Sequence, residues 1–469
     1  MKRLAAIVLL TGAGCAVGPD YERPKTEAPA TWGEKAETAS ADLSTWWTLF
    51  RDDNLNSLVE RAVKSNLDLR VAVGRVREAR GQMGVVFGAL FPEVDAGGFY
   101  TKSRVSPNAE QFPLPSNYQS HYNGGLTASW EIDLFGSVQR GIEAATADYE
   151  SWVENRRNVL VVLLGDVARN YVDLRGNQLL VAVLRQNVVS AKDTEEITRA
   201  RLVAGVATSL DVARAQALRA SAESAIPPVE AAIKQSIHRL SVLIGTPPET
   251  LTAELTPVKA IPTAPPRVVV GLPSELLLRR PDVRQAERKL AEATAAIGVA
   301  TAELYPKISL TGAFGLDSLS SADFLKWESR AWSLGPSIRW PIFAGGRIRA
   351  QIEVQNAQQE QALAVFERTV LTALEDVENA LVAYLREGDR RRALDEAVVA
   401  NRVAVGLAED LYKKGLTSFI DVLDAQRALY LSQADLARSE AEVTLDLVGL
   451  YKALGGGWES QEPKESHEP

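Results

Sequence analysis

Cysteine is nearly missing from this 469-residue chain, which has Cys15 alone, and histidine is almost as scarce, with three. No disulfide can close within one chain, and a Cys/His metal cage is excluded. The net charge of −8 leaves no basic surplus for phosphate contacts, so no nucleic-acid partner is expected. No stretch of 18 continuous apolar residues occurs, so no membrane-spanning helix is expected. No Ser/His/Asp, paired-carboxylate, Walker or dinucleotide pattern stands out, so neither an enzyme nor a cofactor is expected. Gly97-Gly98 and Gly345-Gly346 sit at strand positions or ends and form no phosphate loop. His121 and His238 are isolated, one reading as a loop residue and the other as a helix-surface residue.

What the chain does have is a duplication. Gly205-Val206-Ala207-Thr208-Ser209-Leu210-Asp211-Val212-Ala213-Arg214-Ala215-Gln216 returns as Gly415-Leu416-Thr417-Ser418-Phe419-Ile420-Asp421-Val422-Leu423-Asp424-Ala425-Gln426. Gly, Asp-Val and Ala-Gln keep one offset of 210, and helical periodicity flanks each copy. A glycine that ends a helix, followed by Thr or Ser with Asp starting the next, is the chemistry of a helical hairpin. The chain reads as two copies of one unit, each bent double at this turn.

Along the chain, Met1-Lys2-Arg3 precedes an apolar run over 4–10, and small residues 12–14 lead to Cys15. This has the form of a signal peptide over 1–14, with Cys15 as an acylation (palmitate) site, although Gly12 stands where such signals carry leucine. The alternative is an ordinary signal peptide with an incidental cysteine. Residues 15–45 read as an extended, lipidated leader. The first repeat spans 46–245, with strands near 93–104 and 121–135 and a turn at 204–209. A proline-rich linker covers 246–273. The second repeat spans 274–455, with strands near 307–317 and 332–343 and a turn at 414–419. The tail, 456–469, should be disordered. Each turn follows a helical pattern of about 65 residues, close to 100 Å of helix. That length implies a coiled-coil-like assembly.

The strand segments alternate. Leu126, Ala128, Trp130, Ile132 and Leu134 face one way, with Thr127, Ser129, Glu131 and Asp133 opposite. Ten residues with one apolar face suit a tilted transmembrane β-strand; a half-buried soluble sheet is the alternative. Four strands cannot close a barrel, and open edges are forbidden in lipid. In a membrane, then, at least two chains must share one barrel.

Several stretches carry a family resemblance. They are Cys15 with Gly18-Pro19-Asp20-Tyr21, Trp130-Glu131-Ile132-Asp133-Leu134-Phe135-Gly136, Leu272-Pro273-Ser274-Glu275-Leu276 through Arg280-Pro281-Asp282-Val283-Arg284, and Asp421-Val422-Leu423-Asp424-Ala425-Gln426. Together they resemble the outer-membrane factors, TolC-like exit ducts of tripartite export systems, and within them the lipoprotein NodT/OprM-like multidrug efflux branch. The resemblance implies a mainly α fold with membrane β, assembled as a homotrimer that shares a 12-strand barrel and a 12-helix periplasmic tube. It implies an outer-membrane location, a periplasmic adaptor (membrane fusion protein) and an inner-membrane transporter, of RND type, as partners. It places a periplasmic gate at Ile420, Asp421, Asp424 and Arg427, and tip-turn or adaptor-docking positions at Gly205, Thr208, Asp211, Tyr412, Gly415 and Ser418.

A threefold ring of Asp424 carboxylates would crowd like charge in a narrow aperture, with Arg427 as counter-charge. For Asp211 and Asp421, helix capping is an equal alternative. Thr417 stands where some relatives carry a basic lock residue, and Tyr412 is expected to donate instead to Asp211 on the neighbouring coil. Two rival functions are an outer-membrane channel for type I protein secretion and, from another class, a periplasmic coiled-coil scaffold. The four alternating strands argue against the scaffold.

Overall fold

A computed structural model describes residues 16–26, 29–34, 43–104, 106, 108, 118–263 and 271–461. The expected signal peptide, Cys15, most of residues 105–117 and residues 462–469 lie outside them. The helices are α1 (Asp53–Ser65), α2 (Leu67–Gly88), α3 (Ser137–Val203), α4 (Ser209–Ser224), α5 (Ile226–Leu243), α6 (Thr252–Leu255), α7 (Pro273–Arg279), α8 (Pro281–Ala302), α9 (Arg347–Lys413) and α10 (Phe419–Ala453). The strands are β1 (Glu93–Arg104), β2 (Tyr118–Ile132), β3 (Lys307–Ser318) and β4 (Arg330–Arg339). α3 and α9 have 67 residues each. No helix among the described residues is long and apolar enough to cross a membrane.

The chain forms two compact units, and each takes pieces from both sequence repeats. The first gathers residues 16–25, Arg75–Val153 and Gln285–Glu367. Its centre is one antiparallel sheet in the order β1-β2-β3-β4, so the β2–β3 ladder joins the repeats. Register pairs Ala96 with Leu126, Leu126 with Phe314 and Phe314 with Trp332, which makes one face apolar. Asp95, Thr127, Ala313 and Ser333 line up on the other. Gly125 lets the central strands close in: a Cβ there would lie 2.5 Å from the Phe314 carbonyl oxygen. The outer edges of β1 and β4 have no strand partner among the described residues.

At the helix end of the sheet, the Trp130 and Trp340 indoles each donate to a carbonyl, of Leu90 and Leu304 respectively, at 3.0 Å. These are equivalent bonds in the two repeats. Phe135 stacks on Tyr305 at 4.7 Å, and Asp133 Oδ2 accepts from Gln139 N to cap α3. The leader packs against this foot. Val17 N donates to Phe135 O, and the nearly buried Arg140 binds Val17 O and Asp20. The leader is therefore held by side chains well beyond residue 15.

The second unit takes Thr26–Gly74, Glu154–Arg284 and the chain from Arg368 on. Trp46, Phe50 and Tyr451 pack together with centroids 5.3 to 6.3 Å apart. Asn66 breaks α1 from α2, its Nδ2 donating to Leu243 O and its Oδ1 accepting from Leu69 N. Arg280 does comparable work between α7 and α8, donating to Asp282, Asp376 and the Ala453 carbonyl. The α4–α5 break falls at Ala225, which lets Pro227 and Pro228 occupy the first turn of α5, where a missing N–H costs nothing.

Two expectations need correction. The 246–273 linker is partly folded: it contains α6, and Leu251 and Leu255 are fully buried. The buried Arg175 donates to the carbonyl of Pro257, fixing that segment. The tail is not disordered from 456. Trp458 is buried, with the guanidinium groups of Arg157 and Arg284 at 4.5 and 5.4 Å from its ring. A large indole with two cations over it repays the ordering of the chain through Gln461.

Candidate functional site

The two hairpin turns hold most of the residues singled out in the sequence. Gly205 and Gly415 have φ of +76° and +73°, the left-handed conformation that suits glycine. Around each glycine the helix end closes by the same pair of bonds: Gly205 N to Leu202 O with Val206 N to Arg201 O, and Gly415 N to Tyr412 O with Leu416 N to Leu411 O. These satisfy carbonyls that α3 and α9 would otherwise leave unpaired.

The acids start the next helices. Asp211 Oδ2 accepts from Thr208 N at 2.9 Å and Thr208 Oγ1 at 2.7 Å, while Asp211 N donates back to Thr208 Oγ1. Asp421 Oδ2 accepts from Ser418 N at 3.1 Å and Ser418 Oγ at 2.7 Å, and also from Thr417 Oγ1. Donation from Thr417 and then Ser418 holds the Asp421 carboxyl below the usual carboxylate range. Both carboxylates are thus engaged as helix caps within this chain.

Tyr412 corrects an expectation. Its hydroxyl makes no hydrogen bond to Asp211. Instead the Arg201 guanidinium stacks 4.4 Å from the Tyr412 ring and reaches the Lys413 carbonyl at 3.4 Å. Tyr412 also packs on Phe419 at 5.6 Å, in a core with Ala191, Ala215, Leu218, Val422 and Leu423. Asp211 turns to its own cap because Thr208 is three residues away and already in place. Arg201 was not found from sequence, since a contact between residues 211 positions apart leaves no periodic signal.

The gate candidates lie together. Ile420, Asp424 and Arg427 share the exposed face of α10, opposite buried Val422, Leu423 and Gln426. Arg427 and Asp424 approach to 3.8 Å, both side chains more than half exposed, so the pair contributes little to stability. Gln426 is fully buried and donates to Thr194 Oγ1 and Glu409 Oε1. Around the turns Val203, Val206, Leu210 and Leu416 stand out into solvent, between 57% and 88% exposed. Among the described residues no cluster of three or more His, Cys, Asp or Glu could hold a metal. Cys15 lies outside the described residues, but Ala16 rests against Gly136 at the foot of β2.

A four-stranded sheet with one apolar face, joined to two 67-residue helices that each end in a capped hairpin turn, defines the architecture of an outer-membrane channel protein. The sequence profile of the family described as Outer membrane efflux protein matches residues 58–246 and again 272–456, and the chain belongs to that family. It is 33% identical to nodulation protein T of Rhizobium leguminosarum bv. trifolii, over 95% of each chain. It is 32% identical to the toluene efflux pump outer membrane protein TtgI of Pseudomonas putida, over 97% of this chain and 98% of that one. Among solved structures, the outer-membrane channel OprN matches with a TM-score of 0.90 and 36% identity, covering 95% of this chain and all of that one.

Proposed function

We propose that three copies of this chain close one shared twelve-strand barrel and a periplasmic helical tube, forming the exit duct of a tripartite efflux pump. The observation that carries this reading is the sheet: an apolar face on four strands, with β1 and β4 unpartnered at its edges. Such edges cannot stand in lipid, where each unpaired backbone group costs several kcal/mol, roughly. Neighbouring copies supply the missing partners. The duct is passive and performs no catalytic step; an inner-membrane transporter of RND type drives transport and a periplasmic adaptor couples it to the turns. The exposed Val203, Val206, Leu210 and Leu416 give the adaptor an apolar contact.

The tube narrows at the turns, where Asp424, flanked by Ile420 and Arg427, forms the constriction and favours hydrated cations. Likeness to a toluene efflux protein supports small apolar or aromatic cargo. The placing of Ala16 at the foot of the sheet supports an acyl chain on Cys15 entering the inner leaflet of the outer membrane. The test is reconstitution: the purified protein should migrate as a heat-dissociable trimer and give single-channel currents in planar bilayers. A monomer without conductance would overturn the reading. Restored solvent and drug tolerance in a strain lacking its own efflux duct would separate efflux from protein secretion.

A further inference from the structure

We propose that the loop end of the sheet binds the phosphate groups of an anionic glycolipid in the outer leaflet, through Lys102, Arg104 and Arg330. This rests on the shared-barrel reading above. The apolar face of the four strands carries these three charged residues and no others. Register sets Lys102 opposite Ser120, Arg104 opposite Tyr118 and Arg330 opposite Leu316. All three are cationic, and all lie within three residues of the loop end of their strands. The acids of the strands, Glu93, Asp95, Glu131 and Asp317, fall on the other face.

Aromatic residues fix the depth. Trp130 and Trp340, the latter one residue past β4, sit at the helix end, and Tyr122 and Trp332 lie eight residues before them in the chain. Eight residues span about 26 Å of strand. At the usual tilt of about 40° that is roughly 20 Å across the membrane, close to the apolar band of such barrels. Lys102 and Arg330 each stand two residues beyond an outer aromatic, Tyr100 and Trp332, which is headgroup level. A cation on a lipid-facing surface at that depth must meet an anion or water.

The cations are not spent on carboxylates. Among the described residues none of the three forms an ion pair; the Arg104 guanidinium lies 5.7 Å from the Tyr118 ring, and Arg330 lies 4.8 Å from the Trp327 ring and donates to its carbonyl. Stacking orients a guanidinium while leaving N–H groups for bidentate contact with phosphate. The two basic edges also complement each other. β1 and β4 border the sheet on opposite sides, so ring closure places β4 of one protomer about 4.8 Å from β1 of the next. Arg330 from one copy and Lys102 with Arg104 from its neighbour then form one three-cation site across the subunit boundary.

Full-length protein in detergent would be titrated with diphosphoryl lipid A, with its dephosphorylated form, and with phosphatidylethanolamine, and followed by native mass spectrometry. Wild type should retain diphosphoryl lipid A and discriminate against the other two. The Lys102→Gln/Arg104→Gln/Arg330→Gln variant should bind it about 100-fold more weakly, from roughly a fivefold factor per cation. The Lys102→Arg variant keeps the charge and both stacked guanidinium groups and should bind as wild type, and wild-type single-channel currents from the neutral variant show that it folds and assembles. Equal binding by wild type and the neutral variant, or no preference for phosphorylated lipid, overturns the proposal. A conducting trimer without that preference leaves the duct reading intact, whereas a non-conducting monomer removes the duct reading itself.

Discussion

At the first turn the residue that opens the following helix is Ser209, exposed; at the second it is Phe419, buried against Tyr412. The same offset sets Leu202 against Tyr412, Ala207 against Thr417, Arg214 against Asp424 and Ala217 against Arg427. Both turns keep the glycine, the cap acid and the reversal bonds. Reversing a helix therefore needs only the shared residues, and what the second copy adds answers to something else. Its additions fall in two groups: an aromatic interior that ties the second hairpin to α3 through Arg201, and a charged exposed stripe.

Truncating the interior should show the largest difference. Phe419→Ala removes a side chain that is 3% exposed, and should cost about 3 kcal/mol of local stability. Ser209→Ala should be close to neutral. Hydrogen exchange at the tips of α9 and α10, compared with α3 and α4, reads this directly. Equal protection loss in both variants would mean that the aromatic packing is incidental.

The stripe is tested by conduction. Asp424→Ala should raise single-channel conductance severalfold and weaken cation preference, while Arg214→Ala at the equivalent position should change neither. If Arg214→Ala opens the channel as much, both hairpins constrict it. Arg201→Ala should come next, costing about 1 kcal/mol as the guanidinium leaves the Tyr412 ring. Its effect should vanish in a Tyr412→Leu background, which copies the first repeat.

A smaller contrast concerns acid. Because the folded Asp421 carboxyl is held below its ordinary value, its contribution is complete above the unfolded value of about 4 and is lost as pH falls through the folded value beneath it. Spin labels across the second turn should report fraying only in that acid window. Thr417→Ala, which recreates Ala207, should move the onset toward pH 4.

Much of this was legible in the chain itself. Alternation at 126–134 marks the last seven residues of β2, three-and-four spacing marks α3 and α9, and glycine followed by Thr or Ser and Asp marks the turns. Each is a local rule with a period. Arg201 on Tyr412, Arg140 on the leader and the cations over Trp458 obey no period, because each joins residues more than a hundred positions apart. The interleaving of both repeats in each compact unit was hidden for the same reason: a duplicated sequence suggests two bodies, and the β2–β3 ladder fuses them.

The smallest expected effect is also the sharpest test of the second turn. Tyr412 sits in a core beneath Arg201, and its hydroxyl is buried without a hydrogen-bond partner. A buried hydroxyl with no partner contributes nothing and carries a desolvation cost, so Tyr412→Phe should be neutral or slightly stabilising, within about 1 kcal/mol. The ring, and with it the cation contact, is retained. Bilayer leak conductance should likewise match wild type. A higher leak or a clear loss of tip protection would show that the hydroxyl finds its partner on a neighbouring protomer, and the second turn would then be a joint between subunits as well as within one.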